Sequence, residues 1–347
     1  MPLLQMSKLR TVEWVNGKVR MIDQTRLPEK LAYIEIKDYH EMAKAIENMI
    51  VRGAPAIGVA AAMGLAMSAN RSRAKTKEQL IRDLNHAAKV LRKSRPTAWN
   101  LFWAVDRIMQ AAEKATGTTN EIKNWIVEEA CMMADEDVQA NLKIGEFGAA
   151  LLTDGDGVLT HCNAGALATV GYGTALAPIR TAISQGKRLH VFATETRPRL
   201  QGAKLTAFEL LKDKIPVTLI VDGAAGYVMR RGMVRKVIVG ADRITRDFVA
   251  NKVGTYMLAL AAQASNIPFY VAAPSSTFHL KSDQSEVEIE ERGADEVTHI
   301  GGRRIAARGV KVFNPAFDLT PLELVKAFIT EKGVLSPEAI RAKTTAI

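Results

Sequence analysis

The pattern of the chain changes once, at Asp154-Gly-Asp-Gly157, and that change constrains the fold more than any other feature. Before it, apolar residues recur at helical spacing. After it, short apolar runs alternate with helical stretches. The runs Val158–His161, Leu189–Thr194, Val217–Val221, Val237–Gly240 and Phe269–Ala273 have strand length and are rich in β-branched residues. Helices between them are predicted to start near Ala164, Ala203, Ala224 and Lys252. Such alternation builds βαβ units, a parallel sheet covered on both faces.

The first half reads differently. Thr11–Val15 and Lys18–Ile22 alternate apolar and polar residues around Asn16-Gly17, a strong hairpin turn signal. Leu31–Ile36 reads as a third strand. Asp38 can cap a helix running to about Val51, and Pro55 suits the first turn of the next, to about Asn70. Helical periodicity continues over 77–93, 98–115 and 121–152. The expected class is α/β: a small antiparallel sheet with a helical N-terminal domain over 1–153, then a Rossmann-like parallel-sheet domain over 154–347. A last helix is predicted over Pro321–Thr330, with Leu322 to Ile329 as its apolar face, and Lys343–Ile347 as a loose tail.

Composition excludes several classes. With 48% hydrophobic and 24% charged residues, the 347-residue chain can bury a core and is not globally disordered. No apolar run reaches the ~18 residues of a membrane span; Ala54–Ala69 is too short and reads as a buried helix. The N-terminus lacks the cationic, apolar and cleavage regions of a signal peptide. Two cysteines, Cys131 and Cys162, suit a reducing, cytoplasmic compartment better than a disulfide framework. No CxxC or HExxH spacing indicates a metal. The net charge of +10 fits a solvated basic surface or an anionic small substrate. Its basic clusters are not interleaved with aromatics as in RNA binders, so no nucleic-acid partner is expected.

In open parallel sheets, ligands bind beyond the carboxyl ends of the strands. Those ends carry His161-Cys162-Asn163, Glu195 to Gln201, Ala241-Asp242-Arg243 and Pro274 to Thr277. A thiol, a carboxylate, an amide and several arginines therefore converge on one rim. Cys162 is expected just before a helix, where backbone N–H groups lower a thiol pKa; taken alone, such a cysteine is more often inert and buried than catalytic. Cys131, mid-helix, reads as structural. Asp242 could be a desolvated acid, a helix cap or a partner of Arg243. Arg52 and Arg95, each before a predicted helix, are anion candidates, and Lys252, at a helix start, could reach the same rim.

Taken together, the segments RGAPAIG at 52–58, RPTAWNL at 95–101, THCNAGALAT at 160–169, ETRPRLQGA at 195–203, GADRI at 240–244, NKVGTY at 251–256, APSSTF at 273–278 and IGGRRIAARGVKVFNPAFDLTP at 300–321 resemble the methylthioribose-1-phosphate isomerase family. The likeness runs from the hairpin to about Pro337. The resemblance implies that Asp242 is a proton donor and Cys162 its catalytic partner. It also implies that Arg52, Gly53, Ala54, Arg95, Gln201, Asn251 and Lys252 bind substrate. The same source implies a metal-independent homodimer without cofactor, acting on a small sugar phosphate. Two departures stand out: the loop from Asp242 to Asn251 is slightly shorter than in many members, and His279 replaces a commonly acidic residue. The wider superfamily includes ribose-1,5-bisphosphate isomerase and non-catalytic exchange-factor subunits, and 5-deoxyribose 1-phosphate is a further candidate substrate. An apolar pocket for the methylthio group is expected from Trp99, Phe102 and Trp103.

Overall fold

The computed structural model describes residues 9–280 and 289–342; the tail expected at 343–347 lies outside them. Strands β1 (Val12–Val15), β2 (Lys18–Ile22) and β3 (Tyr33–Ile36) form an antiparallel sheet. Helices α1 (Tyr39–Glu47), α2 (Ala54–Arg71), α3 (Lys77–Ser94), α4 (Trp99–Lys114) and α5 (Thr119–Ala149) follow. The Asp38 side chain accepts from His40 N and Glu41 N and starts α1, while Thr118 and Glu121 form a reciprocal capping box at α5. Fourteen of the eighteen residues of α2 are buried, so this helix is apolar all round and the others pack about it.

Beyond Gly157 come β4 (Gly157–Thr160), α6 (Leu176–Ser184), β5 (His190–Thr194), α7 (Ala207–Lys212), β6 (Val217–Ile220), α8 (Ala225–Arg230) and β7 (Lys236–Val239). Then follow β8 (Arg243–Ile244), β9 (Phe248–Lys252), α9 (Thr255–Ala264), β10 (Phe269–Ala272), α10 (Asp295–Thr298), β11 (His299–Ile300) and β12 (Arg303–Arg304). Last are β13 (Phe317–Pro321), β14 (Ala327–Thr330), β15 (Gly333–Leu335) and α11 (Pro337–Ala342). The main sheet has seven strands in the order β15-β14-β10-β7-β4-β5-β6, parallel except for β15. Its faces separate by the two-residue period of a strand. Leu159, Phe192, Val237, Val239, Phe269 and Val271 meet α8 and α9. Val158, Val191, Ile238, Tyr270 and Ala272 meet α6 and the end of α5.

Three expectations fail locally. The run at 321–330 is not a helix but the end of β13, a 3₁₀ turn and β14. Phe328 enters one face cluster and Ile329 the other, a strand's alternation that the apolar spacing alone does not separate from a helix's. No helix begins at Ala164: a three-residue 3₁₀ turn at Ala166–Ala168 precedes α6 at Leu176. There the backbone N–H groups of Ala166 and Leu167 donate to the Glu209 carboxylate, not to helical carbonyls. Lys252 ends β9 and does not open α9, which begins at Thr255 with Asp318 accepting from Gly254 N and Tyr256 N.

Asp137 on α5 accepts from Val170 N at 2.7 Å and Asn141 Nδ2 at 3.0 Å, and burial pushes its pKa up to about 7. A folded-state pKa above the unfolded value near ~4 stabilises fully below ~4 and is lost as pH rises through about 7. Thermal unfolding of wild type and Asp137→Asn between pH 4 and 8 should therefore differ in slope. The variant lacks this fall, and parallel curves would show that Asp137 titrates normally.

Candidate active site

Strands β10, β7, β4 and β5 are adjacent and parallel, so their carboxyl ends share one edge. A cavity of about 180 Å³ opens there, lined in part by Arg52, Gly53, Arg95, Cys162, Gln201, Asp242 and Lys252. A recess of about 30 Å³ adjoins it, where Ala54 and Asn251 join Arg52, Gly53, Cys162 and Asp242. All nine site residues expected from the sequence are thus brought together.

Arg52 precedes α2 and donates to both the Asn163 side-chain oxygen (2.5 Å) and its carbonyl (2.8 Å). At Gly53 φ is +93°, and a Cβ would lie 2.4 Å from Ala168 Cα, so only glycine lets the helix start approach this loop. Cys162 also has positive φ, +60°, which is costly for a side-chain-bearing residue and is held by its surroundings. Its N–H donates to Thr196 Oγ1 (2.9 Å), and its carbonyl accepts from Thr206 Oγ1 (2.6 Å). With no helix at Ala164, the thiol gains no helix-terminus field. Burial pushes its pKa up, Asp242 adds to the rise, and Arg52 and Lys252 oppose it.

The loop after Cys162 rests on a buried ion pair. Arg180 and Glu209 are both fully buried, 2.8 Å apart, and Arg180 also reaches Asp213 at 2.7 Å. Glu209 accepts from Ala166 N (2.7 Å), Leu167 N (3.1 Å) and Asn163 Nδ2 (2.9 Å). Asn163 therefore passes the grip of Glu209 on to Arg52.

Asp242 lies between β7 and β8, its N–H donating to Ala250 O at 2.9 Å. Burial raises its pKa against the pull of Lys252, Arg52 and Arg95. Lys252 donates to Ala316 O (2.8 Å) with its Nζ 4.8 Å from the centre of the Phe317 ring; burial lowers its pKa. All three shifts favour neutral forms, the mark of a desolvated site. Asn251 donates to Thr255 Oγ1 at 3.0 Å. Arg95 pairs with Glu290 at 3.1 Å, while its Nε and the Oε1 of Gln201 are buried without a partner among the described residues. His161 is not a spare base. Its Nε2 faces Val253 O (2.9 Å), so it carries the proton, and Nδ1 accepts from Thr194 Oγ1 (2.6 Å); burial keeps the ring neutral by lowering its pKa. Among the described residues, no group of three or more His, Cys, Asp and Glu could hold a metal ion. Nor is any helix long and apolar enough to cross a membrane.

A sequence model of the initiation factor 2 subunit family matches residues 50–337. Methylthioribose-1-phosphate isomerase of Acetivibrio thermocellus is 52% identical over 332 residues, 95% of this chain and 97% of that protein. The crystal structure of 5-methylthioribose 1-phosphate isomerase from Pyrococcus horikoshii superposes with a TM-score of 0.91 at 46% identity, covering 98% of this chain and 96% of that one. The chain belongs to the methylthioribose-1-phosphate isomerase branch of the initiation factor 2 subunit family. A structure described as translation initiation factor eIF-2B, subunit delta, from A. fulgidus is also similar, with TM-score 0.85, 51% identity, and coverage of 95% and 96%.

Some cavity residues of this family member escape a reading of the sequence. Gln24, Thr25, Leu27 and Met49 arrive from the segments flanking β3 and α1, through Asp23 N to Ala32 O and Gln24 N to Ile50 O. Arg199, Lys204, Glu290, Arg292 and Phe317 also line the cavity. The basic character of 197–204 was a signal for Arg199 and Lys204; nothing local marks the others. Of the expected aromatics, only Trp99 borders the site. It lines a recess of about 40 Å³ beside Asp242, with Ile57, Ala98, Ala250, Ile289 and Phe317. Its Nε1 donates to Ser276 O (3.0 Å) and its ring stacks on His279 at 3.7 Å. Trp103 borders a separate groove and lies under Arg107, and Phe102 lies under Arg92. One helical turn separates Trp99 from Trp103, yet α4 enters the site only at its first residue.

Replacing Glu209 with Gln leaves Arg180 short of a charge partner and halves the acceptors for the loop. The expected loss is about 3–5 kcal/mol, as for breaking a buried ion pair, measured by urea unfolding. A loss below about 1 kcal/mol, as for a surface pair, would remove Glu209 as the support of this loop.

Proposed function

We propose that the chain converts 5-methylthioribose 1-phosphate to 5-methylthioribulose 1-phosphate, with Asp242 and Cys162 as its acid/base pair. The observation that carries this is their meeting in one recess, from the ends of neighbouring strands, under Arg52 and Lys252. The 52% identity to methylthioribose-1-phosphate isomerases supports the substrate.

Phosphate on the anomeric oxygen blocks ring opening through a free hemiacetal. The ring oxygen must be protonated while the C1–phosphate bond survives. Asp242, with its pKa raised by burial, holds a proton for that oxygen. As the C1–ring-oxygen bond breaks, an oxocarbenium ion forms at C1. The C2 hydrogen then shifts to C1 with its electron pair, and the C2 hydroxyl loses its proton to Cys162 in its thiolate form, which Arg52 and Lys252 favour against burial, leaving the ketone. The small apolar wall of the recess, Ala54, Pro55, Ala164, Ala168 and Pro274, favours this hydride route over an enolate by excluding water. His161, committed at both nitrogens, does not supply the base an enolate needs. Arg52, Arg95, Gln201, Asn251 and Lys252 bind the phosphate and hydroxyls, with the backbone at Gly53 and Ala54, and the methylthio group enters the recess beside Trp99.

Cys162→Ala and Asp242→Asn should each lower turnover about 10²-fold or more, read by phosphorus NMR, while Cys131→Ala stays near wild type. Turnover in D2O should leave C1 of the product free of solvent deuterium; substantial incorporation there means the enolate route. Ribose 1,5-bisphosphate, run in parallel, should not be converted, because Arg292 and Arg199 are already neutralised by Glu290 and Glu296. A folded protein that converts neither sugar is a scaffold that keeps the site without the activity.

The chain is also proposed to pair with a second copy, in the reducing cytoplasm that two free cysteines suit. Edge strand β6 leaves Leu219 exposed, as is Val221 just after it, and Tyr227 on α8 with Met257 and Leu260 on the adjoining α9 extend the apolar face. Light scattering should give a dimer mass for wild type and a monomer for Tyr227→Glu with Leu260→Asp; a monomeric wild type ends this proposal.

A further inference from the structure

Gln24 sits in the 3₁₀ turn Gln24–Arg26, between β2 and β3 and far in sequence from every motif of the site. It is 5% exposed, yet it lines the main cavity. Its Nε2 donates to Leu167 O at 2.7 Å, which fixes the amide: nitrogen toward that carbonyl, oxygen away from it. Leu167 is itself fixed, since its N–H is held by the buried Glu209. The Gln24 backbone N–H reaches Ile50 O at 3.0 Å, two residues before Arg52. The amide nitrogen is therefore held on a fixed carbonyl and the backbone beneath it is pinned, while its Oε1 is buried without a partner among the described residues. A buried acceptor left open at a ligand cavity calls for a donor on the ligand.

We propose that Gln24 is a specificity-determining residue whose Oε1 accepts the hydrogen bond of the substrate's 3-hydroxyl. This rests on the isomerase reading above. The phosphate is drawn to cations, and the methylthio group carries no donor. The 2-hydroxyl must lose its proton, which a neutral amide cannot take. That leaves the 3-hydroxyl as the donor a fixed amide oxygen can hold through the reaction. The wall that carries Gln24 also lies before residue 50, where the match to the family-wide sequence model begins.

The test compares 5-methylthioribose 1-phosphate with its 3-deoxy analogue on wild type and Gln24→Met, after thermal melts establish that each is folded. Wild type should reject the 3-deoxy sugar by about 10-fold or more in kcat/KM, as a site built around a hydroxyl does. Gln24→Met should lose about as much on the parent sugar, mainly through KM, and little on the analogue, so that discrimination collapses toward unity. Equal losses on both sugars in Gln24→Met, or a wild type that turns over the 3-deoxy sugar as well as the parent, would overturn the proposal while leaving the isomerase reading intact. No conversion of the parent sugar by wild type overturns both.

Discussion

Arg180 has no exposed surface, and the carboxylates of Glu209 and Asp213 close around its guanidinium. Removing three charges from water is expensive, and it is offset here because every remaining polar atom finds work. The Glu209 oxygens take two backbone N–H groups and the Asn163 amide; an Arg180 nitrogen takes Tyr172 O at 2.6 Å. The loop from Asn163 to Ala168 is irregular because these bonds replace helical ones. At Gly165 a Cβ would fall 2.3 Å from the carboxylate, so the chain can lie against it only as glycine. The positions of Cys162, Arg52 and Gly53 all descend from that arrangement.

The electrostatics of the cavity follow the same logic of desolvation. Asp242 and Cys162 resist ionising, Lys252 resists protonation, and each limits the others' shifts. A phosphate dianion beside this set favours the protonated form of Lys252. At the rim, Glu290 lies between Arg95 and Arg292, and Glu296 between Arg199 and Arg292. The cations there are matched in part before any ligand arrives, which ties segment 290–296 to α4's approach and to the loop after β5.

Much of this was legible from residues that act locally. Asn16-Gly17 marked the first hairpin, Asp38 the start of α1, and the apolar runs after Gly157 the parallel strands. The strand-end rule gathered Cys162, Gln201 and Asp242 without reference to distance along the chain. What escaped was set by long-range pairing. Lys252 reads as a helix start, but pairing of β9 with β13 makes it a strand end. Phe328 and Ile329 fit a helix until β10 and β15 claim them. Ala164 to Ala168 look helical in the sequence, but a carboxylate more than forty residues later takes the N–H groups of Ala166 and Leu167. Gln24 has no local signature at all.

The 31-residue α5 belongs to two of the large packing clusters. Ile122, Ile126, Ala130 and Met133 are buried among the N-terminal helices, and Ile144 and Ala149 against α6 and the sheet. A rod with its two halves sunk in different cores cannot release one and keep the other without exposing apolar surface along its length. The two cores are therefore coupled through α5: opening one exposes apolar surface of the helix they share, and slow amide exchange along α5 reports on both.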